Sequence, residues 1–168
     1  MELRLVLAAV IIAGCGLCGR SMACSAVRRQ RLIGEMLDAL RLLRVQIVSM
    51  LEPLDRALRQ TDLPLFAATA DALAGADRAS EAWRAVCAWE CRRGGTADCL
   101  EQGDRDVLDR LFEHLGESGR AAQDAAIRAC IEAMEAIHAE AKERAAATGK
   151  LYGSVGFLTG LAIAVLII

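Results

Sequence analysis

Seven cysteines, two histidines and one Gly-Lys pair are the residues of this 168-residue chain that could do chemistry. A metal or redox centre would draw on Cys15-x-x-Cys18, Cys87-x-x-x-Cys91, Cys99, His114 or Cys130. The first pair lies inside an apolar stretch, where thiols behave as small apolar groups. Cys87 and Cys91 share one helix turn at i, i+4, and Cys99 would make a third ligand. No fourth ligand stands nearby, and zinc sites show paired short spacings. With Cys24 the set is odd in number and unevenly spread, a poor disulfide framework, so a reducing compartment suits the middle of the chain. His114 and His138 are isolated, with no acid and nucleophile around them. Gly149-Lys150 resembles the end of a phosphate loop, but position 144 is Arg where the loop needs Gly, and Leu151 replaces the Ser or Thr. The expectation is no catalytic residue, no metal, no cofactor, no small-molecule substrate and no enzyme. Trp83 and Trp89 are six residues apart and point to different sides of one helix. Trp83 is assigned to the core; Trp89, beside Arg92 and Arg93, suits either a protein contact or partial burial.

The elements that hold these residues are helical. Alanine and leucine supply 55 residues, there are two prolines, and aromatics make up 4%. That mixture favours helix nearly everywhere and leaves little material for a sheet. Twenty basic against 22 acidic side chains give a charge of −2, which excludes a strongly basic nucleic-acid binder. Apolar content of 55% excludes an acidic disordered chain.

The two ends account for the mean hydropathy of +0.32. No charged residue occurs from Leu151 to Ile168. As a helix these residues would span about 27 Å, close to the roughly 30 Å of a bilayer core. Leu5 to Gly19 is uncharged between Arg4 and Arg20, and a helix could continue to Val27 with Arg20 reaching the interface. Three readings meet here: a cleaved secretory signal, a lipoprotein acylated at Cys15 of the Ile12-Ala13-Gly14-Cys15 box, and an uncleaved anchor. Charge asymmetry favours the anchor. Arg20, Arg28, Arg29 and Arg31 follow the first segment, and Lys142, Arg144 and Lys150 precede the second. Both flanks are then cytoplasmic and both termini outside. The expected organisation is an anchor over 1–27, a cytosolic helical bundle over 28–148, and a membrane helix over 151–168. Gly156, Gly160 and Ala164 line one face of the last span, and Gly14 with Cys18 offers the same spacing in the first. Both faces would let another helix approach closely.

Within the middle, Leu32, Met36, Leu37, Leu40, Leu43, Ile47, Met50 and Leu51 recur at helical spacing. Pro53 opens a short helix through Arg59, and Pro64 opens a third over about 65–74. A turn at Gly75-Ala76-Asp77 leads to a fourth, capped by Asp77 or Ser80, with Trp83, Val86 and Cys87 inward. After the Arg92–Thr96 loop, a fifth helix starts near Asp104. It carries Val107, Leu108, Leu111, Phe112 and Leu115, and Gly116 stops it. The last soluble helix runs over about 120–147 with Ile127, Cys130, Ile131, Met134, Ile137 and Ala141 inward. Its outer face pairs Asp124 with Arg128 and Glu140 with Arg144. Five or six helices in about 120 residues make one domain.

One series of residues runs through the whole chain. Gly14-Cys15 in a short apolar segment is followed by the basic cluster, Pro53-Leu54, Ala57-Leu58 and Ala82-Trp83. Asp104 with Leu108, Leu115-Gly116-x-Ser118, Gln123, Lys150-Leu151-Tyr152 and Gly156 come next. In this order and length the chain resembles the stage III sporulation protein AB family. It departs from the family at Gly119, where Asp is usual, and in being richer in Cys. The resemblance implies a mother-cell membrane protein of endospore-forming bacteria, in the complex that links mother cell and forespore. It also implies a helical domain similar to the platform proteins of type II secretion. Such a domain would dock a secretion-type ATPase resembling sporulation protein AA and scaffold the membrane subunits.

Overall fold

The computed structural model describes residues 24–92, 94–116 and 119–167, with side chains through 148. Among them there are helices and turns and no strand. Helix α1 covers 24–44 and passes into π-helical turns at Val45–Met50. It is followed by α2 (Leu54–Arg59), α3 (Pro64–Leu73), α4 (Ala79–Glu90), α5 (Gln102–His114) and α6 (Arg120–Ile167). Residues 31–139 form one compact unit, distinct from the chain on either side.

Several of the starts and stops have a local cause. Pro64 is the first residue of α3, where its missing N–H would have had no partner. Helix α5 starts with a capping box: the Glu101 amide donates to Asp104 Oδ2 at 2.9 Å, and the Glu101 side chain caps the third-residue amide in return. That start lies two residues before the one the sequence suggests, and Asp104, only 1% exposed, is the third residue of the helix. Gly116, at φ +91°, ends the segment in a conformation that side chains disfavour. The expected cap of α4 by Asp77 or Ser80 is not formed. The N-cap is Arg78 in extended backbone, with no side-chain cap bond, and Ser80 already lies inside the helix. The last soluble helix, expected over about 120–147, is the first part of α6, which runs unbroken from Arg120 to Ile167.

Ile33, Met36, Leu37, Leu40 and Leu43 make the buried stripe of α1. It belongs to a core in which each fully buried Leu or Ile contributes about 1.5–3 kcal/mol. Ile33, absent from the expected stripe, is fully buried, whereas Leu32 is half-buried. Val86, Ile131 and Ile137 are half-buried as well. Met50 and Leu51 depart furthest, at 62% and 57% exposure. The π-helical turns are wider than α turns, so Met50 lags the 3.6-residue stripe. Leu51 then adopts φ 59°, ψ 30° and turns the chain away, its amide donating to the Gln46 carbonyl. The same slip carries Gln46 inward, where its Oε1 has no hydrogen-bond partner.

The centre of the unit is an aromatic group from three helices. Trp83 of α4 stacks on Phe112 of α5 with centroids 4.7 Å apart and planes 5° from parallel. Phe66 of α3 meets both rings edge-on, at 6.3 and 5.8 Å. Trp83 is fully buried, and its Nε1–H donates to Asp109 Oδ1 at 2.6 Å. Helices α1 and α6 lie antiparallel: Arg41 Nη2 donates to Glu135 Oε1 at 2.7 Å and Arg44 Nε to Asp124 Oδ1 at 2.6 Å. His138 fills the space that Gly34 leaves open, its Nε2 3.5 Å from where a Cβ would sit. The chain thus enters this unit near residue 31 and leaves it near residue 139 at the same end.

Among the described residues no helix is long and apolar enough to cross a membrane. The expected membrane segments, 1–27 and 151–168, are described only in part. Residues 1–23 are not described, and of 149–168 only the helical backbone through Ile167 is.

Candidate functional site

The expected packing residues Gly14 and Cys18, and the acylation candidate Cys15, lie outside the described residues. Gly156, Gly160 and Ala164 are on the helical backbone of α6, in the part described by its backbone alone. Cys87 and Cys91 are brought together: their sulfurs are 3.3 Å apart and both are free thiols. Burial, and next the hydrogen bond with Cys91, push the Cys87 thiol up to about 12. Burial pushes Cys130 up to about 12 against the opposing charge of Arg110. Thiols held in that protonated state are poor nucleophiles and poor ligands. Among the described residues no group of three or more His, Cys, Asp or Glu could hold a metal.

Two features of the surface stand out instead. One is a groove of about 490 Å³ between α5 and the first turns of α6. Val107 and Leu111 form one wall, Ala122, Ala126 and Ala133 the other, and Arg110 and His114 also line it. The alanine spacing is visible in the sequence, on a helix face there assigned only to surface ion pairs.

The other feature is Trp89. Phe66, Trp83 and Phe112 are buried, but Trp89 is 67% exposed. The Arg92 guanidinium lies over its ring, 5.1 Å from the centroid, and Arg92 Nε donates to the Ala88 carbonyl at 3.0 Å. Arg93, grouped with them on sequence, lies outside the described residues. The loop that follows is tightly built. Glu90 accepts from the Thr96 hydroxyl at 2.6 Å and the Thr96 amide at 3.2 Å, and these bonds hold its carboxyl below the usual range. The Ala97 amide donates to the Glu90 carbonyl at 3.1 Å. A Cβ on Gly95 would collide with that carbonyl oxygen, so this position admits glycine alone without rearrangement. Beside Trp89 is a shallow hollow of about 260 Å³, lined by Ala68, Ala85, Val86 and Glu90.

Sequence reasoning placed Trp83 inside but missed its partner. Asp109 reads as one more surface acid of an amphipathic helix, and only the packing of α4 on α5 brings it to the indole.

The described residues thus form an all-α bundle with one exposed tryptophan held beneath Arg92. The sequence profile of the stage III sporulation protein AB family matches residues 4–168. The chain is 30% identical to stage III sporulation protein AB of Bacillus subtilis strain 168 over 173 residues, covering 98% of this chain and 99% of that protein. A solved structure of a stage III sporulation protein AB, 28% identical, matches with a TM-score of 0.61 over 71% of this chain and 97% of that one. The chain therefore belongs to the stage III sporulation protein AB family and is a sporulation protein.

Proposed function

We propose that this chain is a non-enzymatic membrane scaffold of the channel complex between mother cell and forespore. Two spans hold it in the mother-cell membrane around the forespore, with the helical domain in the cytosol. There the domain docks a secretion-type ATPase resembling sporulation protein AA, while the spans meet the other membrane subunits. The observation that carries this reading is the antiparallel pairing of α1 with α6, marked by Arg41–Glu135 and Arg44–Asp124. A unit that the chain enters and leaves at one end suits a domain tethered at both ends to a single membrane face. The cations Arg28, Arg29 and Arg31 on one arm and Lys142, Arg144 and Lys150 on the other support the cytosolic side. Gly156, Gly160 and Ala164 in one span, and Gly14 with Cys18 in the other, are the close-packing faces of this arrangement.

The test is topology. A compartment-sensitive reporter inserted at the α5–α6 turn, beside Gly119, should report the cytosol. An external signal would overturn the reading and leave the ATPase without access. With topology established, Gly160→Leu should reduce co-purification of the other membrane subunits; unchanged recovery would remove that face from the assembly.

A further inference from the structure

We propose that Cys87 and Cys91 are a redox-active dithiol, which a low-molecular-weight disulfide oxidises to a Cys87–Cys91 bond that rebuilds the last turn of α4. This modification site does not rest on the docking role proposed above.

The two sulfurs are 3.3 Å apart. Atoms poised to react stand about 3–3.5 Å apart. Residues four apart on a helix have Cα atoms about 6.2 Å apart, inside the range of roughly 4.4–6.8 Å that a disulfide spans. The thiols differ in access. Cys87 is buried beside a small hollow between α4 and α5 that Arg84, Arg105 and Asp109 also line, whereas Cys91 is half-exposed at the C-cap of α4. A solute therefore meets Cys91 first.

The reaction is two successive exchanges. Cys91, as thiolate, attacks one sulfur of the small disulfide; a bond to Cys91 Sγ forms, the reagent's S–S bond breaks and one thiolate leaves. Cys87 then attacks Cys91 Sγ and expels the second thiolate. Two protein thiols are oxidised, the reagent is reduced to two thiols, and those thiols take up the two protons. Burial, and next the hydrogen bond with Cys91, keep Cys87 protonated, so it is a poor entering group. As the resolving group it has its target already within reach, and such proximity can supply effective concentrations of about 10⁵–10⁸ M. Once Cys91 is capped, the hydrogen bond that helped to hold the Cys87 proton is gone as well.

Closure changes the backbone. Cβ atoms four residues apart on a helix are about 5–6 Å apart and a disulfide holds them at about 3.8 Å, so the turn must draw together by about 2 Å. The Cys91 amide donates to the Cys87 carbonyl at 3.0 Å, and this is the bond that gives way. Cys91 is already the cap residue, so little helix is lost. Trp89 and Glu90 lie between the two cysteines, and Glu90 anchors the following loop through Thr96. The surface at this end of α4 thus changes with the oxidation state. A bond closed against strain is readily reduced, as labile regulatory disulfides are, which suits thiols kept in a reducing compartment.

The test treats the full-length chain in detergent with oxidised glutathione and then alkylates it with iodoacetamide in urea. Trypsin cleavage after Arg84 and Arg92 releases residues 85–92, which hold both sulfurs. In the parent this peptide should be unalkylated and lighter by two hydrogens, and dithiothreitol should restore both thiols. In Cys87→Ser glutathione should remain attached to Cys91, and in Cys91→Ser the Cys87 thiol should survive the treatment that oxidises the parent. Hydrogen exchange at the end of α4 should quicken on oxidation and recover on reduction. A mixed disulfide that persists on Cys91 of the parent, a bond from Cys91 to Cys99 or any other cysteine, or an unreacted pair would overturn the proposal. So would exchange at the end of α4 that is the same in both oxidation states.

Discussion

Removing one carboxylate should loosen the core of this bundle. Trp83 is fully buried and its indole N–H donates to Asp109 Oδ1 at 2.6 Å. In Asp109→Ala that donor has no partner, and an orphaned buried donor costs about 1–3 kcal/mol. Alanine is the better helix former by roughly 0.5 kcal/mol, which offsets part of the loss. The net destabilisation is about 1.5 kcal/mol. For a unit of this size that lowers the unfolding midpoint by about 6–8 °C. Glu113→Ala, four residues on in the same helix, is the control. Its ion pair with Arg84 is as short, 2.6 Å, but the two side chains are 55% and 49% exposed. Exposed pairs are worth only about 0.2–1 kcal/mol. With its own gain in helix propensity, this variant should fall within about 2 °C of the parent. The assay is thermal unfolding of the full-length chain, followed by the helical far-ultraviolet dichroism, which every variant retains. A double-mutant cycle with Trp83→Phe isolates the pair, and a coupling energy of about 1–2 kcal/mol is expected. Equal midpoints for Asp109→Ala and Glu113→Ala, or a coupling near zero, would refute the reasoning.

Leu51→Gly should leave the midpoint within about 3 °C of the parent, because relief of a left-handed backbone costing about 1–2 kcal/mol is largely offset by the roughly 0.5–1 kcal/mol of extra unfolded-state freedom of Gly and the loss of a partly buried side chain; a fall of more than about 5 °C would count against it. Gly95→Ala should destabilise the chain by about 1–3 kcal/mol, since its Cβ meets the Glu90 carbonyl, and should shift Trp89 fluorescence. Gly94→Ala, with open space but φ +90°, should cost less, and the reverse order would contradict the loop geometry. The thiols give a pH dependence. Cys87 and Cys130 are raised to about 12 in the folded chain, above the unfolded value of 9.0. The folded state therefore binds more protons between those values, and stability, complete below pH 9, falls as pH rises toward 12. At neutral pH iodoacetamide should reach Cys87 and Cys130 only on unfolding; early labelling of Cys130 would show that its burial is not maintained.

The all-α class, the order of the helices and most of the core stripes were legible in composition and spacing. Val107, Leu108, Leu111, Phe112 and Leu115 are all buried as their 3.6-residue period requires, because a periodic apolar face has one stable orientation in a bundle. Pro64 and Gly116 mark their boundaries through backbone chemistry that acts locally. The family was legible too, as an ordered series of otherwise weak features. Tertiary structure decided the rest. The π-helical turns at Val45–Met50 turn Met50 and Leu51 outward although their spacing points inward, since hydrogen-bond register is not written in apolar periodicity. The two tryptophans illustrate the same division. Six residues apart on α4, they were bound to face different ways. Which one entered the core was set by Phe66, Phe112 and Asp109, supplied by helices distant in sequence. What surrounds Trp89 was likewise set by the α3–α4 hollow and by a loop that turns Glu90 toward Thr96. Spacing along a chain determines which side chains share a face; only packing determines what that face meets.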